Sequence, residues 1–375
     1  MMNTLEFRKN FPIFNSKIQL SSCSQSAMHQ SVKHAIQQYV ETWERDGMDW
    51  TKWVEACERA RELFAKLINA KTEEVAIVSS VSHAASAIST SLNPTLNKNK
   101  VVINELDFPT IGHVWNSSNA KFDIHFIKEH EIEQLPNDLL LYSTSHVNFY
   151  NGYKLDLKEI ASTVHKKGGY LFVDAYQSFG QTPIDVKEMN IDFLTTGMQK
   201  YGLGIPGIAF LYIKDEISNE MIPKLTGWFG QRNPFAFDIR GQDYASAAKR
   251  FDSGTFPMIN GFAARAALEI LDSLDMNKVE EYLAILSEFT KEELEKAELT
   301  NYSPFPSEEK GSTTAVHVAD ANRVEAEMAK RGIIVSARND VIRIAPHYYS
   351  TKDDIHTAIF ELRKIVKKEA TFSNT

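Results

Sequence analysis

Cysteine is scarce: among 375 residues there are only Cys23 and Cys57. Two thiols are too few for a disulfide scaffold or a cysteine-built zinc site, so no metal is expected. No apolar run is long enough to cross a bilayer, and no membrane partner is expected. No dense Lys/Arg cluster interleaves with aromatics, and the net charge is -8. That charge aids solubility and argues against a nucleic-acid partner. The opening Met1-Met2-Asn3-Thr4-Leu5-Glu6-Phe7-Arg8 lacks a basic head followed by an apolar stretch, so no secretion signal is read. A reduced cytoplasm is the expected setting. Internal repeats and low-complexity tracts are also absent. What is present, 43% hydrophobic and 24% charged residues, is ordinary for a globular protein. The length suits one large domain plus a smaller one.

Short apolar runs alternate with helical patterns. Val75-Ala76-Ile77-Val78, Val101-Val102-Ile103-Asn104, Leu139-Leu140-Leu141-Tyr142-Ser143, Tyr170-Leu171-Phe172-Val173 and Ile191-Asp192-Phe193-Leu194 each read as a buried strand. Helices are expected over 30–46, 50–67 and 157–167. This alternation predicts an α/β fold, a doubly wound and mostly parallel sheet. Past Asn260 the pattern changes. Helices at 261–274, 277–297, 321–331 and 351–367, with strands at 313–318, 333–336 and 341–344, predict a smaller α+β domain over 261–369. The large domain is expected over 31–260. Residues 1–30 form an extended arm packing on the small domain and the site, and 370–375 a disordered tail.

In open α/β sheets the ligand lies beyond the carboxyl ends of the strands. Asp174 ends one strand and Lys200 follows the next, so both point at one crevice. The pair suits pyridoxal phosphate, which needs a lysine for its Schiff base and a carboxylate to keep its ring nitrogen protonated. Either residue alone is more simply a turn Asp or a solvated Lys. Ser79 to Ser86 open a helix after a strand, a ready phosphate site. Ser82 and His83 are the candidates there, against plain serine capping. Phe108, at a strand end, is placed to stack on a planar cofactor. Asn148 and Thr196, polar residues at or just after strands, are further cofactor candidates. Arg343 interrupts the apolar Val341-Ile342-Arg343-Ile344 and needs a partner, either a substrate carboxylate or an internal acid. Arg338 makes a weaker version of that claim. Trp228, Phe229 and the Ser22–Gln25 stretch, with Ser22 as the contact, are read as a side-chain pocket.

One motif points elsewhere. Gly202-Leu203-Gly204-Ile205-Pro206-Gly207 matches G-x-G-x-x-G, the basis of a rival nicotinamide oxidoreductase reading. That reading requires a helix straight afterwards. Ile208-Ala209-Phe210-Leu211-Tyr212-Ile213 reads as a strand, and Pro206 disfavours a helix through the loop.

Val173-Asp174-Ala175-Tyr176-Gln177-Ser178-Phe179-Gly180 is similar to the D-x-x-Q/H-x-x-G of the class V aminotransferase group of fold-type-I pyridoxal-phosphate enzymes. That group includes cysteine desulfurases, kynureninases and isopenicillin-N-epimerase-like proteins. The resemblance runs from Phe11 to about Val366. It implies that Asp174 pairs with the pyridine nitrogen, Gln177 lies near the ring hydroxyl, and Lys200 is the Schiff-base lysine. It also implies that Arg343 binds the substrate carboxylate. Gly254-Thr255 resembles a loop that reaches the partner subunit's cofactor phosphate, which implies a homodimer with shared sites. Asp107-Phe108-Pro109-Thr110, His146-Val147-Asn148 and Gly227-Trp228-Phe229-Gly230 lean toward kynureninase, and that match puts Phe108 on the cofactor ring. The chain departs from kynureninases at Ile111 and Gln199. It has no cysteine after Cys57, where desulfurases carry theirs. The resemblance thus implies an enzyme acting on the α-amino group of an amino acid. Transamination, cleavage at Cβ and racemisation all stay open. The second rival is a non-catalytic member of the fold kept for binding.

Overall fold

The computed structural model describes residues 4–95, 97–303 and 306–372. The N-terminal arm contributes a two-residue strand, β1 (Ile18–Gln19). Seven strands then form the large sheet: β2 (Val75–Val78), β3 (Lys100–Asn104), β4 (Asp123–Ile127), β5 (Leu139–Ser145), β6 (Tyr170–Asp174), β7 (Phe193–Gly197) and β8 (Ala209–Ile213). Their order is β2-β8-β7-β6-β5-β3-β4. β3 to β7 pair in parallel, and β8 runs against both of its neighbours. β8 follows β7 through a glycine-rich loop without a helix, and only an antiparallel return is reachable that way.

Strand alternation feeds two cores. Leu171 and Val173 enter one with the helices Trp50–Leu67 and Met258–Asp272, while Phe172 enters the other with the helix Val81–Ser91. Both faces of the sheet are therefore covered, as continuous Val/Ile/Leu runs require. Gly180 sits at φ +89°, and a Cβ there would land on the Tyr201 carbonyl, so the last glycine of the Asp174 motif lets the segment after Lys200 pass.

A third core gathers Leu20, Val279, Leu286, Val316, Val324, Ile342 and Leu362. It lies around β9 (Thr314–His317), β10 (Ile333–Ile334), β11 (Ser336–Arg338) and β12 (Val341–Ile344). β11, β12 and β9 form an antiparallel sheet, while β10 pairs in parallel with β1. This explains why the strand expected over 333–336 is split at Val335: its halves serve different sheets. The arm is not extended throughout. It includes a helix, Thr4–Arg8, and Arg8 pairs with Asp354 at 2.7 Å. The closing helix Lys352–Phe372 runs past its predicted end at 367 and past the predicted domain end at 369, and residues 373–375 of the predicted tail lie outside the described residues. No helix among the described residues is long and apolar enough to cross a membrane.

One buried charge pair ties β2 to the loop before Thr255. Arg61, with no exposed side-chain surface, donates to Asp252 at 2.7 and 3.2 Å and to the Val75 carbonyl at 2.6 Å. Asp252 also accepts the Ile77 N–H at 2.8 Å. Removing one partner of such a pair strands the other charge and costs about 3–5 kcal/mol. Arg61→Met is therefore expected to lower the unfolding free energy by about that much in a denaturant titration. A loss below about 1 kcal/mol would show that Asp252 does not depend on the guanidinium.

Candidate active site

β5, β6 and β7 end together. Their register sets Ser145 opposite Asp174 and Asp174 opposite Thr195. Their carboxyl ends open into a cavity of about 460 Å³, a size usual for small-ligand sites. Asp174, Lys200, Gln177, Phe108, Ser82 and Arg343 all line it, as does Arg338.

Lys200 carries the strongest electrostatic signature. Desolvation drives its ammonium from 10.5 down to about 8; Asp174 opposes this, and Arg343 and Arg338 add to it. Its Nζ lies 4.1 Å from the centroid of the Tyr176 ring and 5.6 Å from that of Phe108. Burial raises the Asp174 carboxyl, and the nearby Lys200 charge lowers it. Asp174 Oδ1 accepts the Tyr176 N–H at 2.8 Å, which fixes the carboxylate and leaves Oδ2 for a ligand. Behind it, burial above all pushes the Asp107 carboxyl well up while its Oδ1 accepts the Ser145 N–H at 2.6 Å.

The helix Val81–Ser91 points its N-terminus at the cavity, with Ser79, Ser80, Val81 and Ser82 on the wall. Ser80 is the cap, accepting the His83 N–H at 3.1 Å, and the Ser82 hydroxyl meets that of Thr110 at 2.6 Å. Gln177 donates to the Cys23 carbonyl at 2.9 Å, and its buried Oε1 has no protein partner. Arg343 is 1% exposed and bonds Phe149 O at 2.7 Å, Ser24 Oγ at 2.9 Å and Ser336 Oγ at 2.7 Å, with Nε unpartnered. The internal acid offered as its alternative partner is absent among the described residues.

Several predicted residues lie elsewhere. The Asn148 amide is taken up by backbone: it donates to Leu106 O at 2.7 Å and accepts the Tyr150 N–H at 2.8 Å, so it braces two loops. Thr196 turns its hydroxyl onto the Gly197 carbonyl at 3.0 Å. The His83 main-chain N–H, the expected phosphate donor, is taken by the Ser80 hydroxyl at 3.1 Å, and its ring turns back to the Ser79 hydroxyl at 3.2 Å. Ser22 meets the Tyr349 hydroxyl at 3.0 Å, away from the cavity. Trp228 packs in a separate aromatic group with Trp50, Phe229, Phe235 and Phe237. The proposed Trp228–Phe229 side-chain pocket is thus not part of this cavity. Thr255 is exposed, outside its own chain's cavity. The glycine loop does not enter a helix, since β8 follows it, and its Pro206 and Gly207 line the cavity.

The structure adds Tyr176, Phe149 and Gln199 to the lining, and Cys23 and Ser24 of the expected Ser22–Gln25 stretch line it as well. The Tyr176 signal was available, since it stands two residues after Asp174 in the strand-end motif. Cys23 and Ser24 arrive on the arm, anchored where Ser21 bridges Ala345 and the Ser26 N–H meets Gln199 O at 3.1 Å.

Comparison with known proteins agrees with this geometry. The family model of class-V aminotransferases matches residues 19–357. An uncharacterized aminotransferase of Bacillus subtilis is 36% identical over 366 residues, covering 95% of this chain and 96% of that protein. A kynureninase of Bacillus mycoides is 25% identical, covering 97% of this chain and 92% of its own. Among solved structures, a cysteine desulfurase from Thermococcus onnurineus shares the fold with a TM-score of 0.86 at 20% identity, covering 96% of this chain and 97% of that one. The cavity at the ends of β5 to β7 and the match along nearly the whole chain lead to one assignment: the chain belongs to the class-V aminotransferase family.

Proposed function

We propose that this member of the family, a pyridoxal-phosphate-dependent enzyme, binds an amino acid by its α-carboxylate on Arg343 and moves the Cα proton with Lys200. The observation that carries this reading is a part-buried lysine, its ammonium pKa lowered from 10.5 to about 8 by desolvation, in one cavity with Asp174 and Arg343.

The residues present fit the cofactor. A helix N-terminus with two serines suits its phosphate. Asp174 Oδ2 suits a protonated ring nitrogen, and the unpartnered Gln177 Oε1 awaits a donor such as a ring hydroxyl. Phe108 presents an exposed ring beside Lys200. When bound, pyridoxal phosphate supplies an electron sink for the bond broken at Cα. The chain's own work is positional and acid–base. Arg343, held by three oxygen acceptors, orients the carboxylate of the amino acid. Lys200 Nζ takes the Cα proton and returns it. Asp174 keeps a positive charge stable at the inner end of the cavity.

The finer parts of the reading have separate support. A homodimer is favoured by Thr255, exposed and away from its own cavity, and by exposed apolar groups such as Trp43 and Phe237. Residues 31–260 are read as the cofactor-binding domain and 261–369 as the small domain, with the arm packed on the latter. Two free thiols suit the cytoplasm. Transamination and cleavage at Cβ both remain within reach of these residues, and the kynureninase relative supports the second.

Two measurements test the reading. Purified parent protein given pyridoxal phosphate is expected to show a yellow absorbance band that Lys200→Ala abolishes or shifts; a parent that stays colourless would sink the proposal. The pH dependence follows from the Lys200 amine. Only the neutral form attacks an aldehyde, and its pKa is lowered from 10.5 to about 8. Capture of pyridoxal phosphate by the apoprotein should accelerate as pH rises and level off above about 8. A midpoint near 10.5 would mean that Lys200 is solvated rather than desolvated.

A further inference from the structure

Beside Lys200, the cavity wall carries more positive charge than one carboxylate needs. β11 and β12 pair so that Ser336 faces Arg343, and Arg338 stands two residues further along β11. Ala337, between them, turns into the small core. Alternation then puts Ser336 and Arg338 on the other face, with Arg343. Arg338 and Arg343 are thus diagonal neighbours, and both line the cavity.

Neither guanidinium is neutralised. Among the described residues no ion pair involves Arg338 or Arg343. Arg338 donates only to the carbonyl of its neighbour Ala337, at 2.9 Å. Glu325, whose field reaches Arg338, is engaged by the Ala337 N–H at 2.9 Å. Asp174 is the one carboxylate on the cavity wall, and it belongs to the Lys200 end. The helix N-terminus that suits a phosphate is formed by other residues, Ser79 to Ser82. An α-carboxylate therefore satisfies one arginine and leaves the second facing the cavity uncompensated.

The two differ in how they are held. Arg343 is buried and fixed by three acceptors, which suits a group whose position must not vary. Arg338 is exposed and bonded only to adjacent backbone, which suits a distal group. We propose that the two arginines recognise two separate anionic groups of one substrate. The preferred amino acid then carries a second carboxylate, or a comparable anion, on a short side chain, and Arg338 is the specificity-determining residue. Diagonal positions lie roughly 7–8 Å apart at the backbone, a spacing from which two long side chains converge on a short diacid. This inference rests on the cofactor and Arg343 reading given above.

The test uses the pyridoxal-phosphate-loaded protein and two unreactive probes, succinate and butyrate, titrated by calorimetry. Succinate is expected to bind at least about tenfold more tightly than butyrate. Arg338→Gln is expected to weaken succinate by roughly ten- to a hundredfold while butyrate loses far less, so that the preference collapses. Arg338→Lys should restore part of it, because the charge returns without the bidentate fork. An equal loss for both probes would show Arg338 sharing the α-carboxylate or acting on structure, and would overturn the proposal. So would a parent with no preference. Retention of the yellow band in Arg338→Gln separates the two levels: a yellow protein indifferent to diacids refutes only this inference, whereas a colourless parent refutes the cofactor reading beneath it.

Discussion

The register across β5, β6 and β7 is the constraint on which the site depends. With Ser145 opposite Asp174 and Asp174 opposite Thr195, the three strands stop at one level, and the acid projects where the sheet ends. Lys200 follows β7 by three residues, so the same register brings it to the same place. A slip of one residue would turn Asp174 into a core and bring Val173 to its face. What prevents the slip is burial on both sides: Val173 and Phe172 belong to opposite cores, and neither tolerates exchange with an acid. Position is thus enforced by hydrophobic packing far more than by any bond in the site itself.

That packed frame supports groups that destabilise it locally. Gln177 Oε1, Asp107 Oδ2 and Arg343 Nε are buried without protein partners, and each such atom typically costs about 1–3 kcal/mol. Lys200 loses water without gaining a direct ion pair, which is why its amine drifts toward neutrality. The unsatisfied atoms Gln177 Oε1 and Arg343 Nε belong to residues lining one cavity, with Asp107 just behind its wall. On a cavity wall such atoms are placed for a ligand to satisfy them. The Arg61–Asp252 pair shows the contrast: there, buried charges satisfy one another within the fold.

Legibility in the sequence followed the same division. Asp174, Lys200 and Arg343 stood out because each breaks a local rule: an acid or a lysine at the end of an apolar run, or an arginine inside one. β4 went unread because its pattern is that of an exposed edge, Asp123 and His125 alternating with apolar residues, and edges look like loops. Asn148, Thr196 and Ser22, expected at the cofactor or substrate, hydrogen-bond the backbone or another side chain, and the expected phosphate donor His83 N–H bonds Ser80. Polar residues after a strand have two uses, bracing a turn and meeting a ligand, and composition does not separate them. The Ser22–Gln25 stretch was legible as part of the site wall, but not which of its residues face inward: Cys23 and Ser24 line the cavity, while Ser22 turns to Tyr349.

Chemistry and selectivity are therefore carried by different parts of the chain. The motif around Asp174, the serine helix and Lys200 all come from the large sheet, and they define what the cofactor end can do. Cys23, Ser24, Arg338 and Arg343 come from the arm and the small sheet, and they complete the wall of the same cavity. The aromatic Gly227-Trp228-Phe229-Gly230 segment, which suggested kynureninase, reaches neither end within its own chain. The charge presented by β11 and β12 bears on the substrate because Arg343, though hydrogen-bonded to three neutral oxygens, meets no carboxylate among the described residues, and a buried guanidinium gains most from an anionic partner.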